Sequence, residues 1–264
     1  MATRKKTRAA EEKRGRDRRD VWIVVLLTVL LLAVVALVFV ALFRMDDAPN
    51  EPTPTSTTEA QHPYGIEAFT PIADAPIGAI TDELELLYVG TYSGAYMEDG
   101  TDEQVEDVLA LIVENQGDAM IEYAQICLMC DESPVYFSIT ALPATGKLLV
   151  LAQNRAAYSV GMHLDAPACT QMAALGERAV MDFSGEFRLY PSDGVLNLQN
   201  VSQDDIPGDV SLYFKNYRNG LFWGGITYRA SFADGFAADE TRQSIQPHYT
   251  VDESVILYMT YGVS

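Results

Sequence analysis

The stretch VLNLQNVSQDDIPGDVSLYFK, residues 195–215, decides the fold of this chain. It opens with alternating apolar residues, passes through a polar segment that begins at Asn200, and returns to apolar residues at Val210. Alternation with a period of two is typical of a β-strand with one buried face. Asn and Ser favour a turn, because their short side chains hydrogen-bond the local backbone. The stretch therefore predicts a strand, a polar turn and a returning strand.

An earlier copy of this pattern is VLALIVENQGDAMIEYAQICL, residues 108–128. Asn115 takes the place of Asn200, and in both copies an isoleucine follows the asparagine by six positions. A repeat at this distance predicts two domains of similar build, residues 80–175 and 176–264.

Short runs rich in Val, Ile, Tyr, Phe and Thr alternate with Gly, Asp, Asn and Pro clusters throughout this folded part. The candidate strands are Leu84–Val89, Val105–Glu114, Met120–Met129, Val135–Ala141, Leu148–Ala152, Arg178–Tyr190, Val195–Val201, Val210–Lys215, Leu221–Arg229 and Ser254–Tyr261. Beyond residue 79 we find no sustained helical period, so we predict an all-β fold. Short strands at this spacing favour β-sandwiches, in which two sheets bury their inward faces against each other.

The returning strand of the second copy also carries a family resemblance. The hexapeptide Val210-Ser211-Leu212-Tyr213-Phe214-Lys215, followed by Asn219-Gly220, resembles the FxLYD-type module, with Val for the first Phe and Phe for Asp. In the first copy, Ile126–Asp131 takes the matching place. FxLYD-type modules are immunoglobulin-like (Ig-like) units of bacterial surface proteins. The resemblance implies two tandem Ig-like β-sandwiches on an anchored envelope protein, with a binding or scaffolding role and no catalytic residues.

A run of 23 residues without charge, Val21–Phe43, precedes the folded part. As a helix it would be about 35 Å long, which is enough to cross a membrane. The basic tail, residues 1–20, holds nine Lys or Arg against four acidic residues. Positive charge beside a span stays on the cytoplasmic side, so we predict a single-pass protein with its N-terminus inside and its C-terminus outside.

The basic tail and the apolar run each have a second interpretation. A cleaved signal peptide would also be basic and then apolar, but its apolar region is shorter, about 7–15 residues. The segment Val40–Met45 offers no small-residue cleavage site, which favours an uncleaved anchor. The basic tail could instead bind anionic lipid headgroups, although its acidic residues favour a role in topology alone.

Residues 44–79 change character and are rich in Pro and Thr. Such a composition cannot bury enough apolar surface to offset the entropy of ordering. Proline favours an extended backbone of about 3.1 Å per residue. We therefore expect a linker that holds the folded part away from the membrane.

Cysteine and histidine give little indication of a chemical site. Cys127 and Cys130 form a CxxC pair, but an offset of three in a strand places the side chains on opposite faces. A disulfide from Cys169 to either of them is conceivable outside the cell. The histidines are scattered, and no nucleophile motif accompanies any of them.

The acidic and the aromatic segments are better candidates for a binding site. Residues 45–264 hold 33 acidic and eight basic residues, which argues against nucleic acid as a partner. Residues 98–103, Glu-Asp-Gly-Thr-Asp-Glu, form the densest acidic group and could contribute to a calcium site, although solvated charge is the simpler explanation. The aromatic segment around Trp223 and Tyr228 could bind a sugar or a protein, but core packing is the favoured explanation.

From these observations we expect a non-catalytic, membrane-anchored extracytoplasmic binding or scaffolding protein of the bacterial cell envelope. The expected partners are membrane lipid around the anchor helix and an envelope or membrane protein. We expect no catalytic residues, no cofactor, no bound metal and no small-molecule substrate. The alternative is an accessory subunit of a membrane protein complex, recognised through its transmembrane helix, and an extracellular hydrolase is a third possibility.

Overall fold

A computed structural model describes residues 62–261 of the chain. Two short 3-10 turns lie at Pro63–Gly65 and Gln153–Arg155. The first eight strands are β1 (Phe69–Pro71), β2 (Gly78–Ala79), β3 (Leu84–Ala95), β4 (Gln104–Asn115), β5 (Ile121–Cys130), β6 (Ser133–Leu142), β7 (Lys147–Leu151) and β8 (Ala168–Ala174). The others are β9 (Phe187–Ser192), β10 (Val195–Asn200), β11 (Val210–Arg218), β12 (Leu221–Phe232), β13 (Thr241–Ile245) and β14 (Ser254–Thr260). The described chain is 56% strand and 3% helix, which confirms the all-β prediction.

Each predicted strand overlaps an observed one, but the prediction for Arg178–Tyr190 is wrong over residues 178–186. There the Asp182 carboxylate accepts hydrogen bonds from the backbone N–H and the hydroxyl of Ser184, which makes a local turn. Strands β1, β2, β8 and β13 were not predicted, and β8 in particular has three alanines where strands favour β-branched residues.

The strand order repeats along the chain. In sheet order, β3-β4-β7 corresponds to β9-β10-β13, and β6-β5-β8 corresponds to β12-β11-β14. We call β3–β8 the first repeat and β9–β14 the second repeat. Six strands thus recur in the same sequence and with the same neighbours, which extends the local sequence repeat to the whole folded part.

Asn115 and Asn200 have the same role in the two repeats. Each is fully buried at the end of its strand, and each Nδ2 donates to the backbone oxygen four residues later, at Ala119 and Asp204, over 2.8 Å. In each case Oδ1 accepts from the backbone N–H two residues later, over 2.9 Å. The amide therefore closes the turn with both of its ends, as the sequence predicts for this position.

The hairpin that follows is also repeated. Asn219 and Gly220 join β11 to β12 with φ of 52° and 81°. Asp131 and Glu132 join β5 to β6 with φ of 45° and 66°. Two consecutive positive φ values are characteristic of the type I′ turn, whose twist matches that of paired strands.

Two hydrophobic cores occupy the described chain. The first is built mainly from the first repeat, and the second from residues of the second repeat between Phe187 and Met259. One sheet nevertheless runs through both, because β7 pairs in parallel with β12, Leu148 opposite Phe222 and Leu149 opposite Trp223. The division into domains at residue 175 stays a prediction.

Residues 62–79, which the sequence assigns to the linker, pack onto the first repeat. Phe69 is fully buried and Ile66 nearly so, while β1 and β2 both pair with β3. The cause is the burial of apolar surface. Ile66 and Phe69 belong to the same hydrophobic core as β4, whose residues 108–113 are buried on both faces. The folded part therefore begins before the expected Ile80.

The predicted anchor Val21–Phe43 and the basic tail lie outside the described residues. Within residues 62–261, no helix is both long enough and apolar enough to cross a membrane.

Candidate functional site

A groove of about 380 Å³ opens where the two repeats meet, and we call it the junction groove. Tyr92 and Asp102 of the first repeat line it, together with Trp223, Tyr228 and His248 of the second repeat. The acidic loop and the aromatic segment that the sequence marks separately are thus brought to one surface. The parallel pairing of β7 with β12 causes this, since it places distant parts of the chain side by side.

Trp223 is the central ring of the junction groove. It is half-buried, its ring meets that of Tyr92 edge-on at 6.4 Å, and the guanidinium of Arg218 lies 5.3 Å from its centroid. Its indole N–H donates to the Arg218 carbonyl over 3.3 Å. Phe222, the preceding residue, is buried in the core, whereas Trp223 and Tyr228 are only half-buried. Successive strand side chains point to opposite faces, so Trp223 is free to line the groove.

A histidine and a carboxylate form the other wall. The His248 ring stacks on Tyr228 at 4.7 Å, and its Nδ1 lies 3.4 Å from a carboxylate oxygen of Asp102. Burial raises the pKa of Tyr228 to about 12, and the nearby carboxylates of Asp102 and Glu98 add to this. Tyr228 therefore stays a neutral phenol at any physiological pH.

The hydroxyl of Thr250 also lines the junction groove. Its oxygen is buried and has no hydrogen-bond partner among the described residues, although the Thr250 backbone N–H donates to Ser254. A buried polar atom without a partner is uncommon in folded proteins.

The acidic group at residues 98–103 is not a uniformly solvated charge cluster. Arg155 donates to Asp99 over 2.9 Å and to Glu103 over 2.7 Å. Hydrogen bonds from Thr101, assisted by Arg155, lower the pKa of Asp99 to about 2. In residues 62–261 no three His, Cys, Asp or Glu side chains are grouped as metal ligands would be.

Glu98 is the half-buried member of that group, and its carboxylate reaches into the junction. Its carboxylate accepts from the backbone N–H of Leu151 over 2.8 Å and from that of Gly225 over 2.8 Å. Leu151 and Gly225 lie two residues beyond the last pair of the β7–β12 ladder. The carboxylate therefore takes the hydrogen bonds that the two strands no longer make to each other.

Lys215 lies on the other side of the same β12 segment. It is fully buried, and its ammonium donates to the carbonyls of Gly224, Gly225 and Ile226 at 2.5–3.0 Å. We call Glu98 and Lys215 the junction pair, because they hold the same segment of β12 from two sides.

Burial acts on both members of the junction pair. It lowers the pKa of Lys215 to about 7, which the attraction of Glu98 only partly opposes. It raises the pKa of Glu98, against the backbone hydrogen bonds and Lys215, which favour the charged form. Both shifts follow from the cost of removing a charge from water.

The junction pair was not found from the sequence. Strand alternation places Lys215 on the face opposite Phe214, yet both are fully buried. The reason is a bulge, since the register of β11 shifts against β12 between Phe214 and Asn216. The two glycines at 224 and 225 were the available signal, because glycine within a strand commonly marks a bulge or a close backbone approach.

The three cysteines lie on the neighbouring strands β5 and β8. Cys130 is buried and Cys127 only half-buried on the opposite face of β5, which confirms their predicted placement. Cys169 lies opposite Ile126, and all three thiols are free. Burial raises the thiol pKa of Cys130 and of Cys169.

His62 and His163 lie away from the junction groove. Nδ1 of His62 is 2.9 Å from the Phe69 carbonyl oxygen, and Nε2 of His163 is 3.1 Å from Asp165. The third histidine, His248, is the one that the fold brings to the groove.

Comparison of the chain with known protein families, with curated proteins and with solved structures found no match.

Proposed function

We propose that this chain is a non-catalytic, membrane-anchored binding or scaffolding protein of the bacterial cell envelope, and that the junction groove receives a protein partner. The observation that carries the proposal is the lining of the groove. Trp, Tyr and Arg dominate the energetics of protein interfaces, and here Trp223, Tyr92 and Arg218 converge on one concave surface.

The repeated strand order supports the finer description of the fold as two tandem Ig-like β-sandwiches. In each repeat the first, second and fifth strands form one sheet, and the fourth, third and sixth form the other. This is the A-B-E and C′-C-F arrangement of an Ig-like sandwich without its last strand. The turn asparagines and the hairpins recur at equivalent places, which favours two copies of one module.

The surroundings of His248 bear on the hydrolase alternative. A hydrolytic site needs a nucleophile that is hydrogen-bonded to its histidine. His248 has Asp102 beside Nδ1, but within the described chain no hydroxyl is hydrogen-bonded to Nε2, which faces Gly100.

Crosslinking in intact cells tests the proposal. The full-length chain would carry a C-terminal tag, and co-purified proteins would be identified for the wild type, Trp223→Ala and Gln104→Arg. Gln104 is an exposed residue on the rim of the junction groove, so its replacement adds bulk without removing core contacts. Tyr217→Ala is the matched control, because Tyr217 is 41% exposed and does not line the groove.

We expect one partner to be retained with Tyr217→Ala and lost with both groove variants. A parallel chain with an unrelated helix in place of Val21–Phe43 should also retain it. A partner that is lost only when the anchor is exchanged would contradict the proposal and favour the accessory subunit of a membrane complex.

A further inference from the structure

Strand β8 is an exposed edge without the usual protection. Six of its seven residues are exposed, on both faces of the strand, and Cys169 is half-buried. It pairs with β5 on one side and with no other strand of the described chain. Its sequence, ACTQMAA, has no charge and no proline. Proteins ordinarily guard such an edge, because its free N–H and C=O groups accept another strand.

The second repeat shows the same position closed. β14 corresponds to β8, but its outer side is bridged by Val180, whose backbone N–H donates to Met259 over 2.8 Å and whose carbonyl accepts from it over 2.9 Å. The segment between the repeats thus occupies the place beside β14. The place beside β8 has no such segment.

Other edge strands carry the guards that β8 lacks. β1 contains Pro71, β9 contains Arg188 and Pro191, and β13 contains Arg242. Charge and proline both disfavour the addition of a strand. Among these edges β8 is the one suited to pairing.

A cavity of about 460 Å³ begins where β8 ends. Leu175 and the stacked rings of Tyr213 and Tyr258, 4.4 Å apart, line it together with the carboxylates of Glu122 and Glu177. Arg178 is the single basic residue of the lining. The cavity offers apolar surface and acidic charge to whatever lies along β8.

We infer that β8 accepts an extended segment of a partner protein, uncharged where it pairs and basic at the end that enters the cavity. The inference rests on the proposed binding function but names a second surface, apart from the junction groove. Backbone hydrogen bonds along β8 would give affinity, and the alanines leave room on both faces for larger side chains of the added strand.

Charge selects this occupant over a second copy of the chain. Residues 45–264 carry 33 acidic and eight basic residues, so two copies repel each other, whereas a basic segment is attracted. The chain's own residues 44–61 are equally unsuited, because Pro49, Pro52 and Pro54 lack the N–H groups that a ladder needs.

Selection from a library of random decapeptides on the full-length chain in lipid nanodiscs tests the inference. The enriched peptides would be measured for binding to the wild type and to the double variant Gln171→Lys, Ala173→Lys, which places charge on β8. Thr241→Lys on β13 is the control, because it adds positive charge to an exposed edge of the second repeat. Melting temperatures would show that all variants are folded.

We expect enriched peptides to be basic, free of central proline and about tenfold or more weaker on the β8 variant, with Thr241→Lys unchanged. Their binding should slow amide hydrogen exchange across residues 168–174. Peptides that bind the β8 variant as well as the wild type, or no enrichment at all, would overturn the inference. So would a dimer of the free chain that the β8 variant abolishes, since that would assign the edge to a second copy.

This experiment is independent of the cellular one. If a partner is captured through the junction groove but no peptide binds at β8, the proposed function is supported and only the binding role of β8 is excluded.

Discussion

At the scale of single residues, the junction pair is a costly feature of the described chain. Two charges are withdrawn from water, and each is compensated by backbone groups of the same β12 segment. A pair of this kind is weak evidence for stability. We interpret it as the device that fixes how β7, β11 and β12 meet.

Lys215→Met should lower the free energy of unfolding by about 3–5 kcal/mol, because it leaves the three β12 carbonyls without their buried donor and removes the positive charge that favours ionised Glu98. Urea unfolding of the full chain in detergent would measure this, with Trp223 as the fluorescent reporter in a Trp22→Phe background. Lys147→Met is the control, since Lys147 is one-third exposed and pairs weakly with Glu114 at 3.7 Å. An equal, small effect of the two substitutions would contradict the interpretation.

The pH dependence of stability should carry the signature of Lys215. Its folded pKa of about 7 lies below the unfolded value of about 10.4, so the unfolded chain binds more protons between these pH values. The free energy of unfolding therefore rises with pH in that window, by at most about 1.4 kcal/mol per unit, and the contribution is lost as the pH falls through 7.

Glu98 acts in the opposite sense, because a raised carboxyl pKa stabilises at low pH and the contribution is lost as the pH rises through the folded pKa. The comparison is therefore made between Glu98→Gln and Glu98→Gln with Lys215→Met. The free energy of unfolding of Glu98→Gln should rise from pH 7 through pH 8 to pH 9. That of the double variant should lack this rise. Parallel curves would show that Lys215 is protonated in both states.

At the scale of elements, the close approach of β6 to β12 depends on Gly225. A Cβ at this position would lie 1.8 Å from the Ser138 carbonyl oxygen, which no side chain can tolerate. The same approach lets Thr140 donate to the Gly225 carbonyl over 2.8 Å. The backbone contact between the repeats thus requires glycine.

Gly225→Ala should lower the free energy of unfolding by about 1–3 kcal/mol or more, because β6 and β12 must move apart. Gly185→Ala is the matched control, since a Cβ there meets nothing within 4 Å and the residue has no positive φ. Thermal unfolding of the two variants would measure the difference. Equal melting temperatures would show that the two strands are not held in contact.

The turn asparagines provide a test of the repeat. Asn115→Ala and Asn200→Ala should each cost about 1–3 kcal/mol, because buried carbonyls lose their donor. Asn197→Ala, at a half-buried site whose hydrogen bond to the Tyr190 carbonyl is exposed, should cost much less. A large effect at only one of the two buried positions would show that the turns are not equivalent.

Local pattern predicted most of the strands but not how they meet. The period of two located β10 and β11, and the asparagines located their turn, because these signals lie within a few residues. The bulge at Lys215 and the meeting of Trp223 with Asp102 depend on pairing between distant strands. No local window contains that information, so the junction groove could be predicted only as two unconnected segments.

At the scale of the whole molecule, the two repeats share one sheet while each builds its own core. We propose that the predicted anchor and linker present this unit outside the membrane. The strong acidity of residues 45–264 fits a body that stays clear of an anionic surface. Both proposed binding surfaces depend on that placement.

Cysteine labelling in intact cells tests this placement most directly. Thr57→Cys lies in the linker and Thr7→Cys in the basic tail, and each would be treated with a membrane-impermeant maleimide. We predict labelling of Thr57→Cys above the level of the unsubstituted chain, and labelling of Thr7→Cys only after the membrane is opened. If Thr57→Cys is protected until the membrane is opened, the folded part is not displayed outside, which contradicts the proposed placement.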